Sequence, residues 1–334
     1  MAALDVTRAQ VLAFRRATGA LDERLPPGPD SLQRAAWAGL QDSMPRAALL
    51  SIHARVQGSH PSIWEDPSLV QVWGPRFSVY VVHARDRALF TVARLPDNAR
   101  GRARAEDMAA RIERFLGDRR LTDREVGRGI GVGNALRYAT ATGTVLIRWE
   151  GARAPTMWIV PRPNVDPAAA RRELALRYLH VFGPTTAAAF ATWAGVGARE
   201  AHTAFEALGG ALTAVRTPVG EAWARTEDAD ALRAPEGPPA PARLLPSGDA
   251  YFLLQGADRE LLVPDAERRA ALWTPRVWPG AVLVAGEIVG TWRRAGPALT
   301  IEPWRRLTRT ERAAVEAEAA SLPLARPVVV QWPA

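Results

Sequence analysis

The sequence contains no lysine, so all 43 of its basic residues are arginine, and it contains no cysteine. Each absence removes chemistry. Without lysine there is no Schiff base through a lysine amine, no pyridoxal anchor and no P-loop lysine. Without cysteine there is no thiol nucleophile, no disulfide and no Cys-based zinc site. Five histidines without paired spacing define no metal site, so no metal and no cofactor is expected. Apolar runs long enough to span a bilayer are also missing. The one uncharged stretch of that length, residues 178–198, has alanine as its commonest residue and is broken by His180, Gly183-Pro184 and several threonines. The start, MAALDVTRAQ, has an early acidic residue and no apolar signal core, so a soluble cytoplasmic protein with no membrane contact is expected.

What is present is a chain of 334 residues rich in alanine, arginine, glycine and proline, the usage of a GC-rich genome. With 48% hydrophobic and 23% charged residues it can bury ordinary cores, and its length suits two or three folding units. The net charge of +8 is compatible with a polyanionic partner, and guanidinium groups suit phosphates and bases better than ammonium groups do.

The pattern of elements is more informative than the charge. RRELALRYLHVF reads as a helix closed by Gly183-Pro184, followed by the helices AAAFATWAG and AREAHTAFEALGG and by two β-like runs, ALTAVRTP and GEAWART. Three helices followed by a hairpin is the winged helix-turn-helix order. A similar order runs over 104–162: RAEDMAARIERFLG, a short helix after Leu121-Thr122-Asp123, NALRYATATG, then TVLIRWEG paired with PTMWIVP. The glycines at 127, 129, 131 and 133 do not give a dinucleotide-binding spacing and follow no strand. A weaker third copy opens the chain, with helices in TRAQVLAFRRATGAL, SLQRAAWAGL and PRAALLSIHARV, the strand FSVYVVH, and a helix from Asp86. After the Pro-rich PEGPPAPARLLPSG, the apolar runs AYFLLQG, ELLVP, AVLVAG and IVGTWRR read as short strands of a small barrel-like domain, with a hairpin at Ala281–Trp292. RTERAAVEAEAASL is a last helix and PVVVQW a last strand. The expected class is α+β: tandem winged helix-turn-helix units at 1–100, 101–165 and 166–234, and a β-barrel-like domain at 235–334.

Five segments in order, WAGLQDSMPRAALLSIHARV, VWGPRFSVYVVHARD, RRELALRYLHVFGPTTAAAFATWAGV, RLLPSGDAYFLL and GEIVGTWRR, resemble the winged-helix DNA glycosylases of the AlkZ/YcaQ type. The resemblance runs from about residue 5 to 330. It implies tandem winged-helix units forming a C-shaped cleft around duplex DNA, closed by a β-barrel domain, and excision of alkylated bases or unhooking of crosslinks. The family carries a Gln-x-Gln or Gln-x-Asp tripeptide, which falls on Gln41-Asp42-Ser43. Here Gln41 is kept, Asp42 takes a middle position that is small or apolar in the family, and Ser43 takes the third.

Cleavage of an N-glycosidic bond builds oxocarbenium character on the sugar and needs a placed water with electronegative groups near C1′. A cationic N-alkylpurine leaves readily, so amides holding water suffice; a neutral base asks for a carboxylate. Gln41 and Ser43 can hold a water. Asp42 supplies charge only if its side chain faces the cleft, and in extended backbone 41 and 43 share a face while 42 points away. Alternatively, Asp42 or Ser43 caps the free N–H groups around Pro45-Arg46.

The resemblance also brings Trp73, Arg76 and Tyr80 near the tripeptide, Arg76 as a phosphate contact and the aromatics as base-stacking or core residues. Arg293 and Arg294, at the end of a hairpin, are further phosphate contacts. Asp249 and Tyr251 fall on a family motif and read as structural, as do His53 and His83. The expected activity is a monofunctional DNA glycosylase acting as a monomer on double-stranded DNA. Lacking lysine, it is expected to leave the strand uncut. The alternative is a winged-helix DNA-binding protein or regulator without catalysis, the reading favoured by Ser43.

Overall fold

The computed structural model describes residues 3–333 apart from Ser43, Pro45, Ala152, Glu236 and Pro238. It is a mixed α+β fold in which helices pack on three sheets. In the first part of the chain, strands β1 (Leu4–Asp5), β2 (Leu40–Gln41), β3 (Leu69–Trp73), β4 (Val79–His83), β5 (Leu121–Thr122), β6 (Val145–Arg148) and β7 (Thr156–Ile159) alternate with helices. Six of them share one sheet in the order β2-β4-β3-β6-β7-β5. The β3–β6 junction, Gln71 opposite Ile147, therefore joins the hairpin of the first hundred residues to the hairpin of the next sixty-five.

Strands β8 (Leu212–Thr217) and β9 (Gly220–Arg225) form the hairpin expected after the helices Pro167–Phe182, Ala187–Ala194 and Ala198–Leu208. Local chemistry sets these helix bounds. Asp166 caps the first with Pro167 at its start, and Gly195 ends the second in a left-handed conformation, φ 69°. Their facing aromatics, Tyr178, Phe182, Phe190 and Trp193, stack into the largest core cluster. The edge of the hairpin is covered by β1, which pairs in parallel with β8.

The last hundred residues hold β10 (Arg243–Leu245), β11 (Gly280–Val284), β12 (Glu287–Ala295), β13 (Ala298–Pro303) and β14 (Val329–Gln331), in that spatial order. The expected barrel does not close: β10 and β14 are both edges, and the sheet is open. The helix Arg309–Ala320 contributes Val315 and Ala319 to the core beneath it, which removes the need for the sheet to curl onto itself. Two expected strands are also corrected. ELLVP lies on a helix, Asp258–Leu262, and AYFLLQG is a buried turn whose Phe252, Leu253 and Leu254 fill the core. NALRYATATG forms a 3₁₀ helix, Asn134–Thr142, instead of an α-helix. Among the described residues no helix is long and apolar enough to cross a membrane, and no group of three or more His, Asp or Glu is placed to hold a metal.

Candidate active site

Strand β2 is short, but alternation along it decides which side chain faces which way. Leu40 pairs with Val81 of β4 and sinks into the core, while Gln41 pairs with Tyr80 and keeps partial exposure. Gln41 meets two donors there. The Arg76 guanidinium donates to Gln41 Oε1 at 3.0 Å, and the Tyr80 hydroxyl donates to the same oxygen at 3.4 Å. An arginine only donates, so its contact identifies that side of the amide as oxygen. Burial pushes the Tyr80 hydroxyl up to about 12, so it remains a donor across the neutral range.

Arg76 reaches this position through an unfavourable backbone. It and Phe77 both have positive φ, 53° and 57°, in a region non-glycine residues enter at a cost of about 1–3 kcal/mol each. Gly195 closes on that backbone, where a Cβ would come within 3.0 Å of the Arg76 nitrogen. The turn at Gly248, φ 75°, closes on the amide from the other side; a Cβ there would lie 2.9 Å from Gln41 Nε2. Segments remote in sequence thus converge on one amide.

Asp42 points the other way, into the interior, with only 2% of its surface exposed. Its carboxylate accepts from the Ala48 N–H and from Gln71 Nε2, each at 3.0 Å, and Gln71 Oε1 accepts from the Trp149 N–H at 2.6 Å. The relay is directional. Because Trp149 fixes the Gln71 oxygen, the Gln71 amide must donate to Asp42, and Asp42 must accept at both oxygens. The first bond also caps the helix Ala47–Arg55, whose own N-cap residue, Arg46, offers no side-chain acceptor. Burial nevertheless pushes Asp42 up to about 7, against the pull of the Ala48 N–H, Arg46, the Ala47 N–H and Gln71. Ser43, the third member of the tripeptide, lies outside the described residues.

Tyr80 and Trp73 are almost wholly buried, at 0% and 1% exposure, so neither ring face is open to solvent. The Trp73 carbonyl accepts from Arg94 and from Thr140. Arg293 and Arg294 are exposed on β12 and line a cavity of about 320 Å³ with Met44, Ala47, Ser247 and Trp278, beside the tripeptide loop. Asp249 forms a buried bidentate pair with Arg55, both contacts 2.7 Å, and accepts from Ser51. The Tyr251 ring is buried in the core. His53 is bonded to Ser59, and burial lowers it to about 4; His83 is buried.

Sequence reasoning missed Gln71 and Gly248. Gln71 gave a local signal, as a lone amide in the apolar run Leu69–Trp73. Gly248 gave none beyond its Pro-Ser-Gly turn.

The model of the AlkZ-like DNA glycosylases matches residues 34–323. The interstrand DNA cross-link repair glycosylase of Streptomyces sahachiroi is 30% identical over 159 residues, which span 46% of this chain and 42% of that protein. The solved structure of the Streptomyces sahachiroi DNA glycosylase AlkZ shares the fold, with a TM-score of 0.79 at 20% identity over 99% of this chain and 100% of that one.

Proposed function

The chain belongs to the AlkZ-like DNA glycosylase family, and we propose that it hydrolyses the N-glycosidic bond of alkylated or crosslinked bases in duplex DNA. The observation that carries this reading is the fixed amide of Gln41, gripped at Oε1 by Arg76 and Tyr80 and backed by Gly248. A side chain amide that cannot turn offers a water, and the cationic sugar developing beside it, dipoles that need no reorganisation during the reaction. That suits a leaving group already carrying positive charge. Water attacks C1′ and gives up a proton to solvent, the glycosidic bond breaks, and its electron pair leaves with the base and cancels the positive charge there.

In this reading Asp42 is a positioning residue, which ties β2 to the helix Ala47–Arg55 and, through Gln71, to the backbone of residue 149. Tyr80 walls the site and Trp73 lies in the core with Met108 and Ile112, while Ser43 helps hold the water. Arg76 contacts phosphate as well as Gln41. The units 1–100, 101–165 and 166–234 act as tandem winged helices lining a C-shaped cleft, with 235–334 covering it. The helix–helix–helix–hairpin order of 167–225 supports this arrangement. The protein works as a cytoplasmic monomer. It leaves the abasic strand intact, because the sequence offers no lysine amine to form a Schiff base at C1′.

Mass-spectrometric detection of free base from an N7-methylguanine duplex tests the proposal. Wild-type protein is expected to release base and Gln41→Ala to lose release. Silence of the wild type across methylated and crosslinked duplexes, or full activity in Gln41→Ala, overturns it. One observation favours the non-catalytic DNA-binding alternative: the carboxylate of Asp42 is turned into the interior. Tight duplex binding by a wild type silent in that assay would select that alternative.

A further inference from the structure

A second cavity, of about 390 Å³, lies on the other side of Arg294 and is lined by Arg46 and Arg326 as well. Those three arginines come from distant parts of the chain. Arg46 precedes the helix Ala47–Arg55, Arg294 lies in the exposed end of β12, and Arg326 follows the helix Arg309–Ala320. Only the fold brings them together, so an arginine-rich composition does not by itself account for the cluster.

Two features of the cluster suit an anion. No Asp or Glu lines the cavity, and among the described residues none of the three guanidiniums has a carboxylate within 4.0 Å. Arg46 is also held in a fixed plane. Its guanidinium lies 3.5 Å from the centre of the Trp64 ring, and Arg148 lies at the same distance from that centre. Arg148 pairs directly with Glu65 and Glu150, whereas Arg46 meets Asp42 and the same two glutamates only at longer range. The walls are stiff: Pro61, Pro297 and Pro323 line the cavity, and the Pro297 carbonyl accepts from the Val329 N–H. Three like charges around one stiff hollow repel each other, and an anion entering it relieves that repulsion. A phosphodiester fits best, since its oxygens match the fork of a guanidinium.

We propose that Arg46, Arg294 and Arg326 form a backbone-phosphate site that seats the DNA strand next to the tripeptide. It rests on the glycosylase reading for its place in function, since Arg46 stands five residues after Gln41 in sequence. The site is blind to sequence, as phosphate contacts are.

The test is fluorescence anisotropy of undamaged duplexes of unrelated sequence between 50 and 200 mM salt, with inorganic phosphate as a competing probe. Arg294→Gln/Arg326→Gln changes two exposed residues and leaves the tripeptide loop alone. It is expected to lower the slope of log K against log salt by roughly one and to weaken binding alike on every sequence. Arg305→Gln removes a charge already paired with Glu311, and its slope is expected to match wild type. Millimolar phosphate is expected to leave wild-type binding nearly intact, since the duplex engages many contacts at once. An unchanged slope in the double variant, or an equal loss in Arg305→Gln, overturns the site; displacement of the duplex by phosphate alone assigns the cavity to free anion and overturns it too. A lowered slope with no base release by the wild type keeps the site and discards the glycosylase reading.

Discussion

The pair Arg55–Asp249 and the cluster Arg46–Arg294–Arg326 show two uses of the same side chain. Around Asp249 the arginine is buried with its own carboxylate, two contacts of 2.7 Å and almost no exposure on either side. Around the cavity Arg294 and Arg326 are exposed and Arg46 is half-buried, and among the described residues none has a carboxylate in direct contact. In the first place the charge is spent inside the fold, binding the helix Ala47–Arg55 to the turn that carries Gly248 behind Gln41. In the second it stays available to something outside. Arg76 lies between the two, since its partner is the neutral Gln41. The partner of an arginine tells more about its role here than the net charge of the chain does.

The largest expected effect comes from breaking the interior pair. Arg55→Met leaves the Asp249 carboxylate buried without its ion partner and should cost about 3–5 kcal/mol in urea unfolding. The double variant Arg55→Met/Asp249→Leu should recover most of that, and a double variant no better than the single would mean the arginine acts by packing alone. Next comes Arg76→Met, which removes one donor from Gln41. Single-turnover base release should fall about a hundred-fold, with duplex affinity changing much less; an equal loss of both would move Arg76 to the phosphate-binding class.

Asp42→Asn should have a smaller effect. An asparagine turns one acceptor into a donor facing either the Ala48 N–H or the Gln71 amide, so one bond of the relay fails. Base release should slow by roughly ten-fold. The same residue sets a pH dependence. Because burial raises its pKa to about 7, the folded protein holds a proton that the unfolded chain has already lost over the interval from the ordinary carboxylate range up to about 7. The stability contribution of this residue therefore falls as pH rises through that interval. Below about 7 the added proton meets a donor, so the rate of base release should climb near pH 7 in the wild type and lack that step in Asp42→Asn. The smallest effect belongs to Arg305→Gln. Its pair with Glu311 is partly solvated, and the change in stability should stay within about 1 kcal/mol.

Much of this fold was readable where local chemistry decides it. The third helix–hairpin unit stands nearly at the bounds its glycines and prolines suggested, with β8 and β9 on either side of Pro218-Val219. The miss at ELLVP has a plain cause: a short apolar run serves a buried helix as well as a strand. Strand β3 is less legible than FSVYVVH because Gln71 interrupts its short apolar run, although Leu69–Trp73 is the partner of β4 along the full length. The open sheet was out of reach because closure depends on which edges meet, and no local pattern records that. At the site, Gln41, Arg76 and Tyr80 could be named from the sequence. Their convergence on one oxygen could not, since it needs a left-handed backbone at Arg76 that a non-glycine residue does not announce.

The pairing of β1 with β8 bears on how the chain is made. Leu4 and Asp5 find their partners at Val215 and Arg216, more than two hundred residues later. The helix Arg8–Thr18 has the same dependence, because Val11 and Phe14 pack with Val215, Ala224, Leu232 and Leu261. At ordinary rates of synthesis that is a wait on the order of ten to forty seconds. Throughout it the Val11 and Phe14 face of that amphipathic helix waits for its cover, while Leu12 and Arg15 can already meet earlier partners, Arg15 at the Phe182 and Gly183 carbonyls. A chain truncated before residue 215 would leave that face of the helix exposed, so a segment synthesised early completes its packing late.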